Sequence, residues 1–294
     1  MSDETTQGGS AMNRDLTTDM IRPVPQRRII DKMDEYMSRR DYNGAERHLL
    51  YWLEEAKLGG DLQGQLMLRN ELVGHYRKTG QKEPAMESAA KALDLLRELD
   101  MENTITAGTT YVNIATACGA FGDHERAIRL FEKARAAYES SSQTETQLLG
   151  GLYNNMALTC TELGRCEEAL ALYEKAADLM GRVPDGELEQ AITYLNMANT
   201  VEVQLGLEAG EQQINALVER AEELLEAKGE ELLGKGEAAL TDGTDLRAMK
   251  QEERARLGYY AFVCEKCAPT FAYYGYFMTA ESLTERSEEL VKRL

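Results

Sequence analysis

One stretch of the chain occurs twice, and this repetition constrains the fold more than any other feature. The segment TYVNIATACGAFGDHERAIRLFEKARAAY starts at Thr110, and its counterpart LYNNMALTCTELGRCEEALALYEKAADLM starts 42 residues later. Self-similarity with a period of about 20 to 50 residues is typical of solenoids, in which each unit packs on its neighbours. The matching positions are Tyr111 and Tyr153, Asn113 and Asn155, Cys118 and Cys160, Gly122 and Gly164, Ala127 and Ala169, and Phe131 and Tyr173.

The repeated unit has the periodicity of two helices joined by a tight turn. Apolar residues after the turn, such as Ala127, Leu130 and Phe131, recur at spacings of three and four and so share one helix face. Gly122 and Gly164 fall between the two apolar stripes, and glycine tolerates the left-handed conformation that ends a helix. The pattern predicts an all-α array of helix hairpins whose apolar stripes are buried by neighbouring hairpins.

The phrases YNNMALTCTELGRCEEALALYEKA and YLNMANTVEVQLG resemble the tetratricopeptide repeat. Its usual length is about 34 residues. The period of 42 residues here is most similar to the long repeats of kinesin light chains and related bacterial and signalling adaptor proteins. The resemblance covers roughly residues 28–294. It implies a right-handed α-solenoid of about six hairpins, of which the first and last are degenerate and act as caps.

The pattern is regular in the middle of the chain and interrupted near both ends. We expect a disordered polar tail at residues 1–26, a repeat array at 27–294 and an insertion at 229–245. Glu211 replaces the expected alanine, so the second helix of the fifth unit is predicted to start late or to carry a short insertion. Pro269 is predicted to break or kink the first helix of the last hairpin. The predicted repeats span about 28–61, 62–104, 105–146, 147–188, 189–228 and 246–294.

Composition narrows the classes of partner. The formal net charge of −18 argues against nucleic acid, because phosphates require a basic face. It favours a basic protein ligand, although an acidic surface is also common among soluble helical proteins. No apolar run approaches the roughly 18 residues that indicate a membrane span, so we expect a soluble protein without membrane association. Five cysteines without a signal peptide predict a cytoplasmic location.

The sequence offers few candidates for chemistry. Cys264 and Cys267 form a single CxxC pair, and the three histidines are scattered, whereas a structural zinc site needs four ligands. We therefore interpret the cysteines as packing residues. The segment from Gly229 to Gly236 resembles a phosphate-binding loop but lacks the Ser or Thr after Lys235. No catalytic triad or nucleophile-elbow motif is present. The sequence thus predicts no metal, no cofactor and no enzymatic activity.

Aromatic residues are concentrated near the C-terminal end of the chain. The interpretation we favour is a terminal core that closes the array, and the alternative is a hydrophobic docking patch. The cluster consists of Tyr259, Tyr260, Phe262, Phe271, Tyr273, Tyr274, Tyr276 and Phe277.

Asparagine is the most informative polar residue. In tetratricopeptide repeats the first helix of each unit lines the concave face, so the resemblance places asparagines nine or ten residues before the turn glycine in the groove. An amide group offers donors and an acceptor together, and can therefore pair with a peptide backbone of any sequence. The alternative is that these amides bridge adjacent helices. Arg77 and Lys78 are candidates for binding a ligand carboxylate. The predicted peptide-binding residues are Asn70, Asn113, Asn154, Asn155, Asn196, Arg77 and Lys78.

The leading functional prediction is a non-enzymatic scaffold that binds a peptide or helix of a partner protein in the concave groove. The alternative is a peptide-responsive regulatory repeat protein that controls a partner by changing the pitch of the solenoid. An enzyme would require a deep polar pocket with perturbed acids.

Overall fold

The computed structural model describes residues 21–234 and 249–294. Across these residues the chain is all-helical, without a strand, and consecutive helices pair into six hairpins, which confirms the predicted α-solenoid. Residues 1–20 of the predicted tail, 235–245 of the predicted insertion and 246–248 of the predicted last repeat lie outside the described part. The helices are α1 (Gln26–Ser38), α2 (Tyr42–Leu58), α3 (Leu62–Lys78), α4 (Lys82–Glu98), α5 (Ile105–Ala120), α6 (His124–Glu139), α7 (Thr146–Glu162), α8 (Cys166–Met180), α9 (Glu187–Leu205), α10 (Leu207–Leu233), α11 (Gln251–Tyr273) and α12 (Phe277–Arg293).

The hairpin turns lie at the predicted glycines. Gly122 has a φ of 81°, in the left-handed region that glycine adopts without steric cost, and Gly80, Gly164, Gly206 and Gly275 also have positive φ. The first hairpin has Arg40 at this place, with a φ of 55°. Side chains assist the helix that follows, as where Asp123 accepts a hydrogen bond from the Arg126 amide.

Two local predictions were wrong. The second helix of the fifth hairpin does not start late, because Gly206 both ends α9 and precedes the first residue of α10, Leu207. The helix then continues through Leu233, so residues 229–233 extend it. The predicted break at Pro269 does not occur, because α11 runs on to Tyr273, whereas the alternative of a kink stays a prediction. Pro269 is exposed and lies close to the C-terminal end of the helix.

Large apolar side chains fill the space between the helices. Phe131 and Tyr173 anchor the central core, and Tyr260 and Phe271 anchor the C-terminal core, each at most 1% exposed. A third cluster, which includes Ile29, joins the first two hairpins. Burial of a large apolar side chain contributes about 1.5–3 kcal/mol, so these clusters hold the array together.

A charged cluster joins the last two hairpins. The buried Lys228 of α10 lies 2.5 Å from Asp185, in the turn before α9, and 2.8 Å from Glu231. Arg256 of α11 contacts the same two carboxylates at 2.6 and 2.7 Å. Hydrogen bonds from Lys228 hold the pKa of both carboxyl groups below the usual range. The cluster thereby links α10 to α11 across the segment between them.

The first helices of the hairpins form one layer of the array. α3 and α5, α5 and α7, α7 and α9, and α9 and α11 contact each other directly, and each second helix packs between its own first helix and the next one. Close spacing on one side of a stack curves it toward that side. The free surface of the first helices is therefore the concave face.

Candidate functional site

The middle of the concave face carries almost no charge. α5 (Ile105–Ala120) contains no charged residue, and Glu162 is the single one in α7. By contrast, their partners α6 and α8 contain many charged residues, of both signs in α6 and mostly acidic in α8. The net charge of the chain therefore does not describe this surface, which consists of hydroxyl, amide and small side chains.

The first of two recesses on this face lies between α3 and α5, and we call it the α3–α5 recess. Its volume is about 570 Å³. An apolar floor, formed by Leu66, Met67, Met101 and Ile105, is bordered by polar groups that can form hydrogen bonds with a ligand. The polar residues are Gln26, Gln63, Asn70, Glu71, Thr106, Thr109 and Asn113. The sequence did not identify Met101 and Ile105, because they lie at the junction between two repeats.

The second recess lies one hairpin further along, between α5 and α7, and we call it the α5–α7 recess. Its volume is about 490 Å³, and Gly119 and Ala120 leave room for an approaching chain. Leu158 offers an apolar contact and is 45% exposed. Arg77 from α3 and Glu162 from α7 place opposite charges on its border. The two recesses are consecutive along the first-helix layer.

Two of the predicted asparagines hold first helices together. The Asn70 side-chain amide donates a hydrogen bond of 2.9 Å to the Thr110 hydroxyl of α5. The Thr193 hydroxyl of α9 donates one of 3.2 Å to the side-chain oxygen of Asn154. Asn70 and Asn154 occupy the same repeat position, ten residues before a turn glycine. Their geometry fits the alternative interpretation, in which amides bridge adjacent helices.

Two others are free to accept a ligand. The side chains of Asn113 and Asn155 are half-buried and have no hydrogen-bond partner among the described residues. Asn113 lines the α3–α5 recess, and Asn155 lines the α5–α7 recess. Asn196 stands between the bridging and the free asparagines. Its amide donates a long hydrogen bond of 3.4 Å to the side-chain oxygen of Asn154.

The two predicted basic residues differ in position. Arg77 lines the α5–α7 recess. Lys78 lines neither recess, and its ammonium group lies 5.8 Å from the ring centroid of Tyr42, near the turn of the first hairpin. Arg77 is therefore the better-placed group for a ligand carboxylate.

Glu71 is the one titratable residue among those that line the α3–α5 recess. Burial raises the pKa of its carboxyl group above the usual value, and the negative charge of Asp34 adds to the effect. A raised pKa in the folded state means that folding disfavours the ionised form. Ionisation of Glu71 therefore destabilises the fold, an effect that begins above the unfolded-state pKa and is fully present above the folded-state pKa.

We expect Glu71→Gln to raise the melting temperature at neutral pH. The gain should shrink as the pH falls through the raised pKa and disappear below the unfolded-state pKa of about 4.3, where Glu71 is protonated in both states. Thermal unfolding followed by circular dichroism across this pH range measures the effect. Glu87→Gln, at an exposed position of α4, is the control. A gain from Glu71→Gln that is the same at every pH would contradict the assignment.

The aromatic cluster divides between the two predicted roles. Tyr260 and Phe271 are fully buried in the terminal core, whereas Phe262 and Phe277 are 47% and 69% exposed. Three other tyrosines, two in α11 and one at its C-cap, donate hydrogen bonds to side chains of α9. Tyr273 donates to Glu202 at 2.5 Å, Tyr274 donates to Asn199 at 2.8 Å, and Tyr259 donates to Glu189. These hydrogen bonds join α9 to the last hairpin, through contacts between residues about 70 positions apart that periodicity does not reveal.

The CxxC cysteines are buried in the C-terminal core, as predicted for packing residues. Burial raises the pKa of the Cys264 thiol to about 11 and that of Cys267 to about 12, so neither is a reactive thiolate at neutral pH. In residues 21–234 and 249–294, no cluster of three or more His, Cys, Asp or Glu side chains could hold a metal ion. None of the helices described is long and apolar enough to span a membrane.

Comparison with known proteins identifies the repeats. A family profile described as tetratricopeptide repeat matches residues 65–140 and 148–207. The structure is similar to that of BtubC (BKLC) from P. vanneervenii, with a TM-score of 0.59 and 18% identity over 68% of this chain and 80% of that chain. The search of curated proteins found no match.

Two other solved structures align over much of the chain. One is a Podospora anserina kinesin light chain with nearly identical repeats, at a TM-score of 0.46 and 17% identity over 77% of this chain and 94% of that chain. The other is a Rap protein in complex with Competence and Sporulation Factor, with a TM-score of 0.47 and 16% identity over 89% of this chain and 73% of that chain. The profile match and the BtubC-like fold agree with the hairpins and turn glycines described above. Residues 65–140 and 148–207 are therefore tetratricopeptide repeats, and the chain folds as an array of such hairpins.

Proposed function

We propose that this protein is a non-enzymatic scaffold that binds an extended peptide of a partner protein along its concave face. The observation that carries the proposal is the position of two amides without partners, Asn113 and Asn155, in two consecutive recesses of the first-helix layer. Each amide can donate to a peptide carbonyl and accept from a peptide N–H. Binding of this kind involves no covalent step.

In this proposal the bridging asparagines and the free asparagines have different roles. Asn70 and Asn154 fix the distance between consecutive first helices through their hydrogen bonds to Thr110 and Thr193. This arrangement sets the spacing between the free amides before a ligand arrives, and preorganisation lowers the entropy cost of binding. Asn113 and Asn155 then hold the peptide backbone.

The surface also suggests which peptides fit. The uncharged middle of the face and the apolar floor of the α3–α5 recess favour a segment of small and apolar residues. Arg77 favours a carboxylate near one end. A basic ligand stays a prediction. We also propose that the protein acts as an adaptor in the cytoplasm.

The test starts from random peptides displayed on phage and selected on the wild-type protein. We expect Asn113→Ala combined with Asn155→Ala to weaken the selected peptides roughly tenfold or more. Each lost hydrogen bond is worth about 0.5–1.5 kcal/mol, and about 1.4 kcal/mol corresponds to a factor of ten. Isothermal titration calorimetry measures the change.

Asn103→Ala, at an exposed asparagine between α4 and α5, is the matched control and should leave affinity unchanged. Circular dichroism of the double variant should show unchanged helicity, because neither amide pairs within the described residues. Selected peptides that bind the double variant as tightly as the wild type would contradict the proposal.

A further inference from the structure

The outward face of the first hairpin differs from the same face of every later hairpin. When the turns at Arg40 and Gly80 are superposed, Arg28, Lys32 and Glu35 of α1 correspond to Leu68, Leu72 and His75 of α3. Those three side chains of α3 are buried against the first hairpin. Their counterparts in α1 are solvent-accessible. We call this surface, with the adjoining residues of α2, the end face.

The end face contains aromatic residues that the repeat does not require. Trp52 of α2 stands where the following three hairpins have alanine, and Tyr51 stands where they have lysine. Tyr51 is 58% exposed and packs edge-on against Trp52, with ring centroids 5.3 Å apart. The counterparts of Trp52 are Ala92, Ala134 and Ala176, and those of Tyr51 are Lys91, Lys133 and Lys175.

A concave space separates the charged and aromatic parts of the end face. It has a volume of about 560 Å³ and is lined by Arg28, Asp31, Lys32, Glu35, His48, Tyr51 and Trp52. A surface that merely caps a solenoid needs polar residues only. Tyr and Trp in a recess are instead typical of the buried centres of protein interfaces.

The charged residues of α1 on this face are arranged so that they can pair with the same residues of a second copy. Arg28, Asp31, Lys32 and Glu35 follow one another at i, i+3, i+4 and i+7, with alternating sign. If a second α1 lies antiparallel across the first, centred between positions 31 and 32, each Arg28 faces the other Glu35 and each Lys32 faces the other Asp31. A two-fold interface requires this self-complementarity.

The electrostatic setting favours a second copy on this face. The four side chains sum to zero charge, whereas the chain as a whole has a net charge of −18, so a contact between two copies at these side chains adds no net like-charge repulsion. Lys32 already contacts Glu35 within α1 at 2.6 Å. Both side chains of that pair are about 40% exposed, and pairs of this kind contribute little and can be exchanged for others.

We propose that the end face is a homodimer interface, in which the α1 helices of two copies pack antiparallel and Tyr51 and Trp52 are covered at the contact. The predicted assembly joins two arrays at their N-terminal hairpins. It leaves both concave faces free, so each dimer would present two grooves.

Charge exchange tests the pairing directly. We expect Arg28→Glu with Lys32→Glu, and separately Asp31→Lys with Glu35→Lys, to be monomeric, because each face would carry charge of one sign. A mixture of the two variants should restore a dimer, since all four contacts become complementary again. Sedimentation velocity and light scattering measure the mass. Arg129→Glu with Lys133→Glu, an equal change in charge on the exposed side of α6, should leave the wild-type dimer intact.

Trp52 provides an independent readout, because it is the only tryptophan in the chain. Dilution of the wild type should shift its fluorescence to longer wavelength as the dimer dissociates, and Trp52→Ala should be a folded monomer. A wild type that is monomeric at all concentrations would overturn the proposal, as would a dimer unaffected by charge reversal. Trp52 shielded in a monomer and exposed on deletion of residues 1–20 would assign the recess to the chain's own N-terminal segment and overturn it as well.

Discussion

Replacement of Phe131 by alanine is expected to reduce the free energy of unfolding by about 3–5 kcal/mol, the cost of truncating a buried phenylalanine. Phe131 is 1% exposed and packs in the central core, which joins the second, third and fourth hairpins. In a repeat array each hairpin is stabilised by its neighbours only. The loss should therefore also separate the two halves of the array, so that urea unfolding followed by circular dichroism becomes less cooperative.

Phe262 of α11 is the matched control. It is 47% exposed, and Phe262→Ala should change stability by about 0.5 kcal/mol or less, as is usual for surface substitutions. If both variants lost the same amount, the central core would not be the part that holds the hairpins together.

Asp61→Ala is expected to reduce stability by about 2–4 kcal/mol, because one side chain serves two segments. One carboxylate oxygen accepts from the Gly64 amide at 2.8 Å and caps α3, and the other accepts from the Val24 amide at 2.9 Å. The loss of a cap costs about 1 kcal/mol. A buried N–H left without an acceptor costs about 1–3 kcal/mol more. Asp61 itself is 5% exposed, so water cannot readily replace it.

Asp123→Ala separates the two contributions. Asp123 caps α6 through the Arg126 amide at 3.2 Å and is exposed, so only the cap is lost, at about 1 kcal/mol or less. Thermal unfolding compares the two variants, and hydrogen exchange at the Val24 amide should accelerate in Asp61→Ala only. Equal destabilisation by the two substitutions would show that the contact with Val24 contributes nothing.

Local pattern was enough to predict the hairpins. Apolar residues at spacings of three and four, followed by a glycine every 42 residues, leave a helix hairpin as the one arrangement that buries both stripes. The same pattern failed at the fifth turn. Glu211 hid the start of α10, whereas the structure shows that Gly206 alone connects the two helices. The length of a turn can change by one residue, and the types of side chain around Gly206 did not show that this turn is shorter than the others.

The sequence by itself determined the repeat, the helix hairpins and the residues that line the first-helix layer, because these follow from periodicity along a single helix. Only the tertiary structure decided which of those residues remain free. Asn154 and Asn155 are neighbours in sequence, but successive side chains on a helix point about 100° apart, so one meets Thr193 of the next helix and the other faces a recess. The hydrogen bonds between the last hairpin and α9 were likewise decided by the tertiary structure, because residues about 70 positions apart meet only when whole hairpins stack.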